Sequence, residues 1–233
     1  LVMSFTHKLT PFTYVYEING IQLARPNVMR DLGVIYDPKL SFKYHIDSIV
    51  SSAFKSLGFI LRNGRLFNDV DTLKLLYTAY VRSHLEYASL VWSPLYNIYI
   101  SELERVQRRF LKTASYLSEG VYPPQGYPQE LLLRKFSLNS LVTRRIEHSI
   151  LFLFNLIHGR HECVCILNQL DFKIPVRDTR SNDTFYIKTS RTNIMSNSPL
   201  IFMLANHTCI QDNIDIFNST SNDIKKQFRP EHP

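Results

Sequence analysis

Cysteine is scarce in this 233-residue sequence: Cys163, Cys165 and Cys209 are too few, and odd in number, for a secreted disulfide framework. A reduced intracellular setting, nucleus or cytoplasm, is therefore expected. No apolar run reaches the roughly 18 residues that span a bilayer, so no membrane partner is expected. The opening LVMSFTHKLT has no long apolar stretch of the signal-peptide kind. A Gly-rich phosphate loop, a Gly-x-Ser-x-Gly elbow and a His-Glu-x-x-His helix are also missing. There is no internal repeat and no low-complexity tract. The chain opens at Leu1 with strand-like residues almost at once, as a piece of a longer protein would.

What is present is a core and a basic surface. Hydrophobic residues make up 45% of the chain, enough to build a folded interior, and the net charge of +7 points to an anionic partner. The excess is local. Residues 41–67 carry four cations against one carboxylate, and residues 101–160 carry nine against five.

Residues 14–25, YVYEINGIQLAR, place Asn19-Gly20 between two β-prone runs, the signature of a hairpin with a two-residue type I′ turn. Residues 28–36, VMRDLGVIY, read as a third strand closed by Asp37-Pro38. Strands this short would form the edge of a larger sheet. From His45 the period becomes helical, with Ile46, Ile49, Val50, Ala53, Leu57, Ile60 and Leu61 on one face and Asn63-Gly64 as the stop. A second helix is predicted from the N-cap Asp69 to Ser93-Pro94, with Leu73, Leu76, Tyr77, Tyr80 and His84 on one side. A third is predicted from Ser101, capped reciprocally with Glu104, to about Ser115. After a proline-rich loop at 120–128 come a short helix to about Phe136 and a longer one over 138–158, with Leu141, Val142, Ile146, Ile150, Leu153, Phe154 and Ile157 inward. Beyond Asn168 the pattern weakens to short strands or coil, with one helix near residues 200–206.

Candidate chemistry is concentrated on the third helix. Arg105, Arg108, Arg109 and Lys112 fall at offsets of 0, 3, 4 and 7, one face, opposite Leu103, Val106 and Phe110. Such a stripe can track a phosphate backbone and release its counterions; a solvated basic face is the other reading. Lys55, Arg62 and Arg65, with Arg144 and Arg145, would extend the patch. His158, His161, Cys163 and Cys165 cluster, but their spacing matches no paired zinc-ligand pattern, so packing and surface roles fit better. The carboxylates read as caps and loop residues. Asp69 with Asp71 starts a helix, Glu102 with Glu104 favours a helix dipole, and Asp212 with Asp215 lies in a loop. Trp92, with tyrosines at 77, 80, 87, 96 and 99, could stack bases, but burial against the first and third helices accounts better for so much ring area.

Taken together, DLGVIYDPKLSFKYHIDSIVSSAFKSLGFILR, LKLLYTAYVRSHLEYASLVWSP, LERVQRRFLK, LNSLVTRRIEHSILFLFNLIHGR and NSPL resemble the region after the catalytic palm in reverse transcriptases of non-LTR retrotransposons, jockey-like elements in particular. The resemblance implies a mainly α fold: a thumb-like helical bundle over 41–160, preceded by a β hairpin and edge strand over 1–40 left from the palm. A weakly structured C-terminal extension would occupy 161–233. It implies an RNA/DNA primer-template duplex as partner, gripped at the backbone by the stripe, together with the parent's palm and fingers. The Tyr/Phe-x-Asp-Asp motif that binds the catalytic metals is absent, as is a terminal Cys-x-x-Cys knuckle. The chain alone is thus expected to hold no cofactor and no polymerase activity, the family's Mg2+ being bound upstream. A helical protein-interaction module, or a relic of a mobile element, is the competing expectation.

Overall fold

Asn19 and Gly20 turn the chain as a type I′ hairpin requires, both with positive φ (51° and 76°). They join β1 (Glu17–Ile18) to β2 (Ile21–Gln22), with Ile18 opposite Ile21. In the computed structural model, which describes residues 1–10, 12–64, 69–174, 183–189, 192–196 and 198–230, the expected third strand is instead a second hairpin. β3 (Met29–Asp31) pairs with β4 (Val34–Tyr36), Met29 opposite Tyr36, around Leu32 (φ 45°) and Gly33 (φ 86°). Tyr87 explains the choice. Its hydroxyl donates to the Leu32 carbonyl at 2.9 Å, and a Cβ at position 33 would stand 3.1 Å from its ring. Leu-Gly is a weak hairpin signal by itself, so a partner 55 residues away supplies what the local sequence lacks. Among the described residues the hairpins form two separate two-stranded sheets, not the edge of a larger one. Asp37 is buried at 6% exposure and accepts from the amides of Lys39, Ser41 and Phe42, which leads the chain into the first helix.

The chain divides into two compact units. The first comprises Leu1–Ala88 and Tyr96–Gly120, and its centre is α1 (Lys43–Gly64). Ile46, Val50, Ala53, Leu57 and Ile60 are buried as the periodicity predicts, while Ile49 and Leu61 sit half-buried at the margin. α2 (Val70–Tyr77) starts at Asp69, whose carboxylate accepts from the amides of Asp71 and Thr72 at 3.1 and 3.0 Å. The helix expected to run on to Ser93 is interrupted twice. A π turn occupies Thr78–Arg82, followed by α3 (Ser83–Glu86), and Ala88 at φ 51° then breaks the rod.

The π turn corrects the predicted face. The buried residues are Leu73, Tyr77, Val81 and Leu85, four apart throughout, and Tyr80 and His84 point to solvent. In an α-helix each four-residue step drifts by about 40° around the axis. A wider turn with i→i+5 bonds takes up that drift and keeps the row facing α1.

α5 (Asn97–Glu119) packs on α1 and α2 and places Leu103, Val106, Phe110, Leu111 and Ala114 inside. It starts a turn before the expected site. Ser101 lies within the helix, its hydroxyl donating to the Ile98 carbonyl at 2.8 Å, and the Ser101–Glu104 capping box does not form. A capping residue needs extended backbone, which Tyr96 has and Ser101 has not. The Tyr77 and Phe110 rings stack at 4.0 Å, 10° from parallel, joining α2 to α5 in the middle of the core.

The second unit comprises Ser89–Leu95 and Val121–Pro233. α4 (Ser89–Trp92) packs on α7 (Leu141–Ile157), and the fully buried Trp92 belongs to this unit. α6 (Gln129–Lys135) follows the proline-rich loop, and Ser140 caps α7 by accepting from the Thr143 amide. Residues 161–233, expected to be weakly structured, add α8 (Val164–Leu167), α9 (Asn193–Ser196), α10 (Pro199–Ile210) and α11 (Ser221–Gln227). They also complete a core: Ile150, Leu153, Phe154 and Leu156 of α7 cluster with Leu170, Phe185, Leu204, Ile214, Ile216 and Ile224. The Thr220–Asp223 capping box starts α11 and holds the Asp223 carboxyl down at about 2. Val142 proves exposed, because the inward face of α7 is centred on Ile150 and Phe154.

Three buried polar groups carry consequences. The Tyr77 hydroxyl has no hydrogen-bond partner among the described residues, and burial pushes its pKa well up. Removing an unpaired buried hydroxyl recovers its desolvation cost, so Tyr77→Phe should leave stability unchanged or raise it by about 1 kcal/mol in urea unfolding. A loss above that size would mean the hydroxyl is bonded. His45 accepts from the Ile35 amide through Nδ1 at 3.3 Å, and burial, then the charge of Arg30, lowers its pKa. His207 is 1% exposed, edge-on to Phe185, with neither ring nitrogen bonded among the described residues, and burial lowers its pKa too. Burial favours the neutral form of both rings in the folded chain. Stability should hold above the ordinary value of 6.5 and fall as pH drops below it, because the unfolded chain takes up protons that the folded chain excludes. His207→Leu should lose less stability between pH 6.5 and 5 than the parent, read from denaturation midpoints; equal losses would exclude His207 as a contributor.

Candidate nucleic-acid interface

α5 is amphipathic in the sense the sequence requires. With Leu103, Val106 and Phe110 inward, Arg105, Arg108 and Arg109 are exposed and Lys112 is half-exposed. The four are not equivalent. Arg105 and Arg109 turn toward α1, where they line a groove with Arg62, while Arg108 and Lys112 are not part of its lining. Lys55 is exposed on α1 but likewise lies outside the groove lining. Arg65 falls outside the described residues.

The groove is built from two rows. α1 contributes Phe54, Gly58 and Arg62, each four residues after the last, with Leu57 and Leu61 beneath; α5 contributes Arg105, Arg109 and Thr113 at the same spacing. Residues four apart form a ridge along a helix, and two ridges running side by side leave a channel between them. Its volume is about 590 Å³. At Gly58 the α1 backbone itself lines the groove. A Cβ added at that position meets only Nη1 of Arg62, at 3.5 Å.

The guanidiniums are held differently. Arg105 is fixed on two sides, by Glu102 at 2.9 Å and over the Phe54 ring at 5.2 Å from its centroid. Among the described residues no carboxylate pairs with Arg62 or Arg109, and no acidic side chain lines the groove. Two uncompensated cations beside a third that is oriented make a local positive field over an apolar floor.

Arg144 and Arg145 are proposed from sequence as an extension. Both belong to the second unit; Arg145 is buried at 4% exposure and Arg144 pairs with Glu147 at 2.9 Å. The His/Cys cluster is dispersed into packing. His158 bonds the Phe154 and Phe217 carbonyls, His161 stacks on Phe152, Cys163 packs against the core and Cys165 is exposed. Among the described residues no three His, Cys, Asp or Glu side chains gather as a metal site would need. The pKa values of Asp69 and Asp215 are lowered by hydrogen bonds that close a helix start and a turn. No described helix is long and apolar enough to cross a membrane.

Sequence reasoning missed Phe54, Gly58 and Thr113. The four-residue spacing of 54–58–62 and 105–109–113 was legible, but that the rows face each other is a tertiary fact. No family model matches the chain, and no curated protein or solved structure is similar to it.

Proposed function

We propose that this chain is the post-palm region of a non-LTR retrotransposon reverse transcriptase, and that it binds the backbone of an RNA/DNA primer-template duplex. The single observation that supports binding is the convergence of Arg62, Arg105 and Arg109 on one groove, two of them without a carboxylate partner among the described residues. Guanidiniums present planar forks that match phosphate oxygens, and contacts of this kind position a duplex without reading its sequence. The polymerase assignment rests on the run of residues quoted above.

In this reading, catalysis and its Mg2+ belong to the parent's palm, and this region holds the product of that chemistry in place. The first hairpin fits a role beside other parts of a polymerase. Phe12, Tyr14, Ile18 and Ile21 in or beside it, and Leu32 in the second hairpin, are exposed apolar side chains of the kind an interface with palm or fingers would cover. Those same side chains would serve the second reading, a helical protein-interaction module, whereas a relic would give them no role.

The two readings separate on salt. Backbone binding weakens with a log–log slope of about −0.9 per phosphate contacted. Affinity for an RNA–DNA duplex should fall by roughly tenfold or more between 50 and 200 mM salt, and Arg105→Ala with Arg109→Ala should flatten the slope by about two. Fluorescence anisotropy across a salt series measures both. Tight binding indifferent to salt and to the double substitution would reject the backbone reading.

A further inference from the structure

A duplex backbone leaves half of this groove unexplained. Phosphates would engage Arg62, Arg105 and Arg109, but the floor beneath them is Phe54, Leu57 and Leu61, which offers a phosphate nothing. The groove is open to solvent on one side, and an apolar surface ringed by a few convergent polar groups is how proteins hold flat organic groups. Arg62 and Arg109, without a carboxylate partner among the described residues, ask for an anion, and the floor asks for an apolar face attached to it. An unpaired nucleotide has both.

Resting on the nucleic-acid reading above, we infer that the α1–α5 groove is a nucleotide site for single-stranded nucleic acid, taking one unpaired base between its two helical rows. The base stacks on the Arg105 guanidinium, which itself lies over the Phe54 ring, and the flanking phosphates meet Arg62 and Arg109. Arg105 is the oriented member. Glu102 and the Phe54 ring fix its guanidinium, so a flat cationic surface stands ready for the base to stack on without losing further side-chain freedom. Gly58 leaves the α1 wall bare beside Arg62, where a long side chain would compete with the base for the groove. Stacking of this kind tolerates every base, because each presents a π face, so the site distinguishes unpaired from paired strands rather than one sequence from another.

The test uses the full 233-residue chain and three labelled probes: a single-stranded 12-mer, the same 12-mer with abasic positions in place of its central bases, and a blunt RNA–DNA duplex. The intact single strand should bind roughly tenfold or more tighter than the abasic one at equal salt, the loss expected when a stacked base is removed. Gly58→Leu, whose side chain would enter the groove beside Nη1 of Arg62, should abolish that difference; far-ultraviolet circular dichroism checks that the helices persist. Equal binding of intact and abasic strands, with the duplex still bound, overturns the nucleotide site and leaves the backbone reading intact. So does a base-dependent difference that survives in Gly58→Leu, since the base is then held elsewhere. Failure of all three probes to bind overturns the nucleic-acid reading itself.

Discussion

The first unit depends on one constraint: α1 must bury a continuous apolar row against two partners at once. Ile46, Val50, Ala53, Leu57 and Ile60 lie along it, α5 takes one flank and the α2–π–α3 rod the other. Each of the Ile, Val and Leu side chains contributes about 1.5–3 kcal/mol when fully buried. The stack of Tyr77 on Phe110 ties the two partners to each other, so the three elements are mutually supporting. Everything exposed on the outside of this packing, including the arginine groove, inherits its geometry from it.

That constraint explains two irregularities. The π turn at Thr78–Arg82 keeps a row spaced strictly by four aimed at α1, at the expense of regular helical bonds. Gly64, at the end of α1, is small for a related reason: a Cβ there would come within 2.6 Å of Leu73 Cδ1. Both are places where close packing overrides the local preference of the chain. The second unit solves its own problem differently, gathering short segments from residues 170–224 around the apolar face of α7.

Charge follows the same logic at the surface. The buried row of α5 fixes which arginines face outward, and the adjacency of α1 decides which of those share a groove. Arg105 and Arg109 turn to Arg62 because residues four apart lie on one ridge, whereas Arg108 falls on the next. A basic stripe thus becomes an oriented site only where a second helix supplies a floor.

The sequence by itself determined the helical character, the Asn19-Gly20 hairpin, the Asp69 cap and the inward faces of α1 and α5, because each depends on periodicity or on bonds within a few residues. Tertiary structure decided the rest. Leu32-Gly33 turns because Tyr87 reaches it from 55 residues away, Tyr80 and His84 face solvent because a π turn resets the row, and Arg145 is interior although its neighbours read as surface. Residues 161–233 looked weak because each apolar piece is short; they are ordered where α7 offers a shared core to pack against. The groove is the same case. Its two rows are written 43 residues and more apart, and only the packing of α1 on α5 sets Phe54, Gly58 and Arg62 opposite Arg105, Arg109 and Thr113.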